Sequence, residues 1–328
     1  MSNVDRIPDY TVAGGSSAVA ADPVRELFAG RSVALGESTV VRRVLPNLGR
    51  RLVGAWCFID HYGPDDIANQ PGMTVPPHPH IGLQTASWLL EGEVHHRDSL
   101  GSDQVIRPGE LGLMTAGRGI AHAEHSPVPH PASLHGVQLW IALPDGARHT
   151  DPAWEFHASV PVVAQDGMTA TVILGEFAGA AAPARATYSP IVGADITVSG
   201  GASPLLPLEA DFEYAAIATS GTVTVDGVEI SPGTMLYLGC GRRDLRLSSD
   251  ADARLLLLGG EPFAEQIVMW WNFVARTGAE IAAAREEWMA GTDFGVVDDA
   301  DPPLPAPELP PGTLKPGGSV RRRPGTRP

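Results

Sequence analysis

The sequence predicts an all-β protein made of two barrel-like domains in tandem, with short helices near the C-terminus. From Val33 to about Trp140, short apolar or alternating runs are separated by Gly and Pro, with almost no helical periodicity. The second half has the same texture. Both halves also share a layout of turn glycine, strand, Pro-Gly turn and strand, which indicates an internal duplication: Gly92 then Pro108-Gly109, and Gly221 then Pro232-Gly233.

The individual strands are predicted from runs of β-branched and apolar residues bounded by turn residues. They lie within 33–45, 84–94, 110–116 and 136–143 in the first half, and within 195–201, 213–239 and 254–260 in the second. Between Glu261 and Met289 the pattern changes to Ala, Glu, Arg and Met with apolar residues three and four apart, which predicts helix.

These patterns divide the chain into four parts. We expect an N-terminal, partly flexible segment at 1–30, a first barrel at 31–157 and a second barrel with helices at 158–298. Residues 299–328 are crowded with Pro and Gly and are expected to be a disordered tail. Removing the chain from Pro302 onward is therefore expected to change folding little.

Composition limits the classes of function. The chain has 328 residues, 43% of them hydrophobic, and a formal net charge of −15, which argues against a broad nucleic-acid-binding surface. We expect the basic cluster Arg321–Arg323 to be a solvated part of the tail. No apolar run approaches the roughly 20 residues of a membrane span, and no secretory leader is recognised, so no membrane association is expected. Two cysteines, Cys57 and Cys240, are too few for a disulfide framework; a cytoplasmic location is the simplest expectation, although one bridge is compatible with the sequence.

Histidine is distributed unevenly along the chain. All eleven histidines lie between His61 and His157, and the second half contains none. Any chemistry that depends on imidazole therefore belongs to the first barrel, and we expect one metal per chain, bound in the first barrel only.

Two short motifs in the first half each place potential metal ligands two residues apart. His78 and His80 flank Pro79 at a predicted strand start, and His122 and Glu124 follow the next Pro-Gly turn and strand. Alternate residues of a strand share a face, so each pair converges on one side. Taken alone, a His-x-His pair is more often two satisfied surface histidines than a metal site.

Together, the two pairs offer three nitrogens and one carboxylate. This donor set suits a first-row divalent metal and leaves coordination positions for water, substrate or dioxygen. The absence of cysteine from the set argues against a thiolate-rich structural zinc site. Fe(II), Mn, Ni, Co and Cu(II) all fit these residues.

The motifs also carry a family resemblance. Gly72-x5-His78-x-His80 and Gly119-x2-His122 resemble the two metal motifs of the cupin barrel. The glutamate that usually follows the first pair is replaced by Gln84-Thr85, and a glutamate stands instead beside the last histidine. With this relocation, the segments FIDHYGP, HPHIGLQT, LLEGEVHHRDSLG and MTAGRGIAHAE resemble the pirin family of bicupins. The second half resembles it less, since MWWNFVART (269–277) departs from the family pattern.

The resemblance implies a fold of two cupin barrels and places the metal ligands on His78, His80, His122 and Glu124. It favours Fe(II), with Mn, Ni, Co, Cu or Zn as alternatives. It also implies a ring-opening dioxygenase that acts on a flavonol of the quercetin type or a related enol with O2, with Glu124 as catalytic base. The alternative is a non-catalytic metal- or redox-sensing module that regulates a partner protein.

Histidines outside this set are given other roles. His95 and His96 are expected in a solvated turn with a local ion pair beside Arg97 and Asp98, and His125 on the face opposite His122. His61 is expected in a loop near the barrel mouth, within possible reach of a substrate. In the second half, Asp244 follows Gly241 at the place of the motif histidine, which predicts a barrel without a metal.

Overall fold

The computed structural model describes residues 8, 10–14, 23–35 and 39–310 of the chain. The strands of its first half are β1 (Thr11–Ala13), β2 (Glu26–Ala29), β3 (Arg31–Leu35), β4 (Thr39–Leu45), β5 (Trp56–Asp66), β6 (Thr74–His80), β7 (Leu83–Glu91), β8 (Val94–Asp98), β9 (Asp103–Ile106), β10 (Leu111–Thr115), β11 (Ile120–His125), β12 (Ser133–Ala142) and β13 (Ala153–His157).

The second half continues with strands and ends in a single described helix. Its elements are β14 (Val162–Gln165), β15 (Met168–Phe177), β16 (Ala180–Ala181), β17 (Ile191–Val198), β18 (Leu205–Pro207), β19 (Glu213–Ser220), β20 (Val223–Val225), β21 (Val228–Ile230), β22 (Thr234–Gly239), β23 (Asp244–Ser248), β24 (Ala253–Gly260), β25 (Ile267–Trp270), β26 (Phe273–Ala275) and α1 (Gly278–Ala290). The prediction of an all-β fold with two cupin barrels is confirmed.

Each barrel pairs a large sheet with a four-stranded sheet. In the first barrel the large sheet has the order β13-β10-β7-β12-β5-β4-β3 and the small sheet β6-β11-β8-β9. In the second barrel the orders are β14-β15-β17-β24-β19-β22-β2 and β18-β23-β20-β21. The small sheets have matching connectivity, as the internal duplication predicts.

The two barrels share one hydrophobic core between their large sheets. Trp56 and Trp88 of the first barrel belong to the same buried cluster as Ile217 and Leu256 of the second. The indole N–H groups within this core are also paired, because Trp56 donates to the Gly259 carbonyl (3.0 Å) and Trp88 to the Asp195 carboxylate (2.8 Å). Buried apolar area with satisfied polar atoms holds the barrels together.

The terminal segments cross between the two barrels. Strand β2 lies before the first barrel in sequence but pairs with β22 of the second. Strands β25 and β26 and helix α1 return to the first barrel, where Phe273 and Ile281 pack with Ala121 and Ala123 on the outer side of β11. The face of β11 that would otherwise be exposed is therefore covered.

The helix prediction for 261–289 is correct only for its second part. Ile267–Trp270 forms β25, which is fully buried and pairs with β1 and β26. A short apolar run has no period of its own that separates strand from helix, and here tertiary pairing selects the strand. Helix α1 starts where Thr277 accepts a hydrogen bond from the Glu280 N–H, and it ends at Gly291, whose φ is 72°.

The C-terminal segment differs from the predicted disordered tail. Residues 299–310 lie along the first barrel, where the Leu304 N–H donates to the Pro77 carbonyl (2.8 Å) and the Trp288 indole donates to the Leu304 carbonyl (2.8 Å). The carboxylate of Asp299 is buried against Arg97. The Arg321–Arg323 cluster and the rest of 311–328 lie outside the described residues, as does most of the segment 1–30.

Two further observations concern the predicted environment. Cys57 and Cys240 are both free and buried. Within the part of the chain that the structure describes, no helix has the length and apolar character that a membrane crossing requires.

Candidate metal centre

The small sheet of the first barrel carries all four predicted ligands on its inner side. Strand β11 is paired on one side with β6, where His122 lies opposite His78, and on the other with β8, where Glu124 lies opposite His96. A register irregularity follows His122 on the β6 side. The four predicted ligands are at most 1% exposed. Strand alternation thus places both pairs inside the barrel, as the sequence predicts.

The three histidines form one compact group. Potential ligand atoms of His78, His80 and His122 lie within 4.8 Å of one another. The Nε2 atoms of His80 and His122 are 3.1 Å apart, and the rings of His78 and His122 are 4.3 Å apart between centroids. The predicted nitrogen donors therefore converge on one point.

Hydrogen bonds on the outer side of the group determine which ring nitrogen of His78 and His80 carries a proton. Nδ1 of His78 lies 2.8 Å from the Pro76 carbonyl, and Nδ1 of His80 lies 3.0 Å from the Asn272 carbonyl. A carbonyl only accepts, so each Nδ1 must be the N–H donor. In the neutral rings the lone pair is then on Nε2, directed into the group.

The histidines are neutral at ordinary pH. Burial lowers the pKa of His78 to about 4, and burial together with the neighbouring imidazoles holds the pKa of His80 and His122 well below 6.5. Neutral imidazole is the form that binds a metal.

The resulting arrangement fits a cation. The Nε2 atom of His78 is buried without a hydrogen-bond partner among the described residues. The Nε2 atom of His80 directs its lone pair toward Nε2 of His122, 3.1 Å away, so a cation held by both atoms fits this arrangement. A divalent transition metal with nitrogen ligands would satisfy all three atoms.

The carboxylate of Glu124 lies beside this group rather than at its centre. Its potential ligand atom groups with those of His122 and His96 within 4.8 Å, whereas the set of His78, His80 and His122 forms a separate group that shares His122. The Ser87 hydroxyl on β7, in the facing sheet, lies 3.1 Å from Glu124 Oε1. His122 is thus the residue that joins the nitrogen cluster to the carboxylate.

His96 and Asp98 are site residues that the sequence interpretation missed. Instead of a solvated turn, they lie on β8 with exposures of 1% and 3%. The His96 ring stacks on Trp154, with centroids 3.8 Å apart and planes 7° from parallel. His95 is also in strand β8 rather than in a turn; it lies on the outer face, where its Nε2 is 2.6 Å from Oδ1 of Asp103. The spacing of two residues between His96 and Asp98 is the sequence feature that could have indicated that both side chains lie on the same face of a strand.

Other polar residues of the first barrel lie away from the predicted ligands. His61 is a buried residue of β5, not a loop residue, and its Nε2 is 2.8 Å from Nε2 of His135. Gln84 donates to Thr115 Oγ1 and to the Ala186 carbonyl. His125 lies on the outer face of β11 and contacts Asp299, on the side opposite His122 as expected.

The second barrel has no comparable group among the described residues. Asp244 is exposed at the start of β23, and the barrel interior is filled by apolar side chains such as Leu206, Leu245 and Leu257. Each described cluster of three potential metal ligands lies on the first barrel or between it and the C-terminal segment.

Fold and site together define a bicupin with a histidine-rich candidate metal centre in its N-terminal barrel only. The Pirin family model matches residues 38–141, and the model of the pirin C-terminal cupin domain matches residues 193–295. The chain belongs to the pirin family.

Individual relatives extend this similarity over most of the chain. A candidate quercetin 2,3-dioxygenase of Pseudomonas aeruginosa is 45% identical over 85% of this chain and 89% of its own length. A pirin-like protein of Caulobacter vibrioides is 38% identical over 81% of this chain and 93% of its own. Among solved structures, a quercetin 2,3-dioxygenase of Acinetobacter baumannii matches with a TM-score of 0.84 at 42% identity, covering 89% of this chain and 98% of that one.

Proposed function

We propose that this protein is a metal-dependent dioxygenase that opens the ring of a flavonol of the quercetin type, or of a related enol, with O2. The observation that carries the proposal is the convergence of three buried imidazole rings, from His78, His80 and His122, beside the Glu124 carboxylate. The similarity to quercetin 2,3-dioxygenases at 45% and 42% identity supports the choice of reaction.

The proposed cofactor is one divalent transition metal per chain, held by His78, His80, His122 and Glu124. Fe(II) is favoured, and Mn, Ni, Co, Cu and Zn are the alternatives that the donor set also accepts. When bound, the metal supplies Lewis acidity toward an enolic hydroxyl and a path for electrons to dioxygen.

The residues around the site have separate tasks in this proposal. Glu124 accepts the proton of the enolic hydroxyl at its carboxylate, so it acts both as ligand and as catalytic base. The Ser87 hydroxyl lies within hydrogen-bond distance of Oε1 of Glu124 (3.1 Å) and of Oε1 of Gln138 (3.0 Å), so it is placed to donate to the carboxylate. The buried walls of the barrel keep bulk water from the reacting enol.

The proposed setting is the cytoplasm, with a small aromatic or enolic substrate and O2 as the partners. Two free, buried thiols are consistent with a reducing compartment. The alternative function, a sensing module that regulates a partner protein, uses the same metal centre but needs no turnover.

The experiment that tests the proposal begins with metal analysis of protein purified without added metal. Uptake of dioxygen is then measured with a panel of flavonols on fully loaded protein. We expect one metal per chain and uptake that depends on the flavonol. If loaded wild-type protein consumes no dioxygen with any flavonol or related enol, the dioxygenase proposal fails and the binding module becomes the better account.

The variant Glu124→Gln distinguishes chemistry from metal binding. Three histidines remain, so we expect it to keep a metal, more weakly than wild type, yet to lose ~10²–10⁴-fold of the uptake rate, as is typical for removal of a general base. Rates must be compared at matched metal occupancy. Glu229→Gln, an exposed position in the second barrel, is the matched control. Wild-type turnover in Glu124→Gln would show that Glu124 is not the base.

A further inference from the structure

A buried chain of side chains leads from His122 away from the candidate metal centre. Nδ1 of His122 lies 3.4 Å from Nδ1 of His96, and Nε2 of His96 lies 3.2 Å from Oδ2 of Asp98. The other oxygen of Asp98, Oδ1, accepts hydrogen bonds from the backbone N–H groups of Leu100 (2.9 Å) and Ser102 (3.0 Å). Both Asp98 oxygens thus have donors.

The chemistry of each group fixes where the protons lie along this chain. The Asp98 carboxylate only accepts, so Nε2 of His96 must carry the proton that it donates. A ring protonated on Nε2 alone has its lone pair on Nδ1, the atom that lies 3.4 Å from Nδ1 of His122, so in this tautomer His96 accepts the N–H of His122 Nδ1. Neutral His122 in turn has its lone pair on Nε2, the atom that faces His80.

Asp98 is held in its acceptor form. The carboxylate is 3% exposed, and three donors surround its two oxygens: the His96 ring and the backbone N–H groups of Leu100 and Ser102. The stack on Trp154 restricts rotation of the His96 ring, so the two ring nitrogens keep their separate partners.

We propose that Asp98 and His96 act as a relay of positioning residues that fixes the tautomer of His122 and keeps its Nε2 available as a metal ligand. The proposal deepens the proposed metal centre and rests on it. It makes the three histidines unequal, because Nδ1 of His78 and His80 donates to neutral backbone carbonyls. Of the three histidines, His122 alone is connected to a carboxylate through side chains of the described residues, which makes it the more strongly polarised donor.

The variant Asp98→Asn should reverse the direction of the hydrogen bonds along the relay, because asparagine has almost the same shape as aspartate but offers an NH2 donor in place of one oxygen. The two backbone N–H groups retain the amide oxygen, so the amide NH2 group faces Nε2 of His96. His96 must then carry its proton on Nδ1, facing His122. To avoid two opposed N–H groups, His122 moves its proton to Nε2, which blocks the ligand atom.

The test has one measurement without metal and one with Zn²⁺, a redox-inert probe. In metal-free protein, histidine ¹⁵N shifts from long-range ¹H–¹⁵N NMR spectra report which nitrogen is protonated. We expect His122 to be protonated on Nδ1 in wild type and on Nε2 in Asp98→Asn. Competition with a chelator should show Zn²⁺ affinity reduced ~10–100-fold in the variant, the usual effect of losing a partner behind a metal-bound histidine.

Asp103→Asn is the matched control, because Asp103 pairs with His95 on the outer face of the same hairpin. It should leave both the His122 tautomer and the Zn²⁺ affinity unchanged. If Asp98→Asn does not fold, His96→Phe provides a second test, since it preserves an aromatic ring against Trp154 but removes the acceptor for His122. That variant should also bind Zn²⁺ more weakly.

Three results would overturn the relay: a wild-type His122 protonated on Nε2 without metal, an unchanged tautomer and Zn²⁺ affinity in Asp98→Asn, or a Zn²⁺-induced ¹⁵N shift showing that His96 itself binds the ion. Because the tautomers are read without metal, the relay can stand even if the dioxygenase proposal fails for want of oxygen uptake.

Discussion

The two barrels of this protein have the same small-sheet connectivity but opposite interiors. The order β6-β11-β8-β9 in the first corresponds to β18-β23-β20-β21 in the second. Inner positions hold His78, His122 and Glu124 in the first barrel, and Leu206, Leu245 and Leu247 in the second. The same backbone therefore supports either a polar site or an apolar core, and inward-facing side chains decide which.

The comparison also shows that Asp244, the residue of the second barrel that the motif aligns with a ligand histidine, does not face the barrel interior. Spacing after the turn glycine aligns Asp244 with His122, but burial along β23 alternates so that Asp244 and Arg246 are exposed while Leu245 and Leu247 are inside. In the first barrel both faces of β11 are buried, because helix α1 and its neighbours cover the outer side. The two barrels therefore differ in the kind of side chain that faces the interior.

Burial of the inner side chains has opposite effects on the folding free energy in the two barrels. Leucines inside the second barrel contribute roughly 25 cal/mol for each Å² of apolar surface removed from water. The histidines and acids inside the first barrel cost free energy unless each polar atom finds a partner. The second barrel thus contributes mainly stability, and the first exchanges part of its stability for a site.

The largest expected effect compares the two aligned motif positions. His122→Ala removes the residue that joins the nitrogen group to Glu124, so we expect loss of the metal and of all metal-dependent activity. Asp244→Ala removes an exposed side chain and should leave metal content and activity unchanged. Metal analysis and dioxygen uptake of both variants decide this. Metal loss in Asp244→Ala would mean that the second barrel has a part in the site.

A core substitution in the second barrel should have the reverse effect. Leu257 is fully buried in its apolar cluster, so Leu257→Ala should lower the free energy of unfolding by about 2–5 kcal/mol. Metal content per folded chain should stay at the wild-type value. Denaturant titration and metal analysis provide the measurements, with Val162→Ala, at 60% exposure, as the control. A folded Leu257→Ala protein with little metal would show that the barrels are more tightly coupled than we infer.

Acid should destabilise the first barrel, which contains all the histidines. Burial, with the like charge of His135 as the next cause, lowers the pKa of His61 to about 3. The unfolded chain binds a proton at this residue below its ordinary pKa of about 6.5, whereas the folded protein stays neutral there. Stability is therefore fully present above pH ~6.5 and falls as the pH decreases toward 3, by at most about 1.4 kcal/mol per pH unit for this group.

Denaturant titrations of metal-free protein between pH 7.5 and 4.5 test this expectation. His61→Gln should show a shallower pH dependence than wild type, and an exposed control, His149→Gln, should match wild type in slope. Parallel curves for wild type and His61→Gln would mean that the His61–His135 pair does not contribute to acid sensitivity.

The smallest expected effect concerns the C-terminal segment. Truncation after residue 301 removes the Leu304 contacts with Pro77 and Trp288 and the buried Ala306 side chain, so we expect a loss of about 1–3 kcal/mol of stability. Truncation after residue 310 removes only Pro-, Gly- and Arg-rich sequence and should be neutral. Equal stability of the two truncated proteins would restore the original expectation that the whole tail is dispensable.

The predicted ligands were accessible from sequence because their spacing is local. His78 and His80, like His122 and Glu124, are two residues apart on a strand, and strand alternation alone places each pair on one face. The sequence interpretation missed His96, because two adjacent histidines beside Arg97 and Asp98 are equally compatible with a solvated turn. Only the pairing of β8 with β11, which sets His96 opposite Glu124, gives it a place in the site.

Sequence by itself determined the number of barrels, their β texture, and the half of the chain that contains the imidazoles, because these depend on composition and on periods of a few residues. Tertiary structure decided which strands the terminal segments join, why Ile267–Trp270 is a strand, and how His122 is connected to Asp98 through His96. These outcomes depend on contacts between residues far apart in the chain, including β1 with β25 and β2 with β22. No local pattern encodes such pairings, since register and burial are fixed only when the sheets pack together.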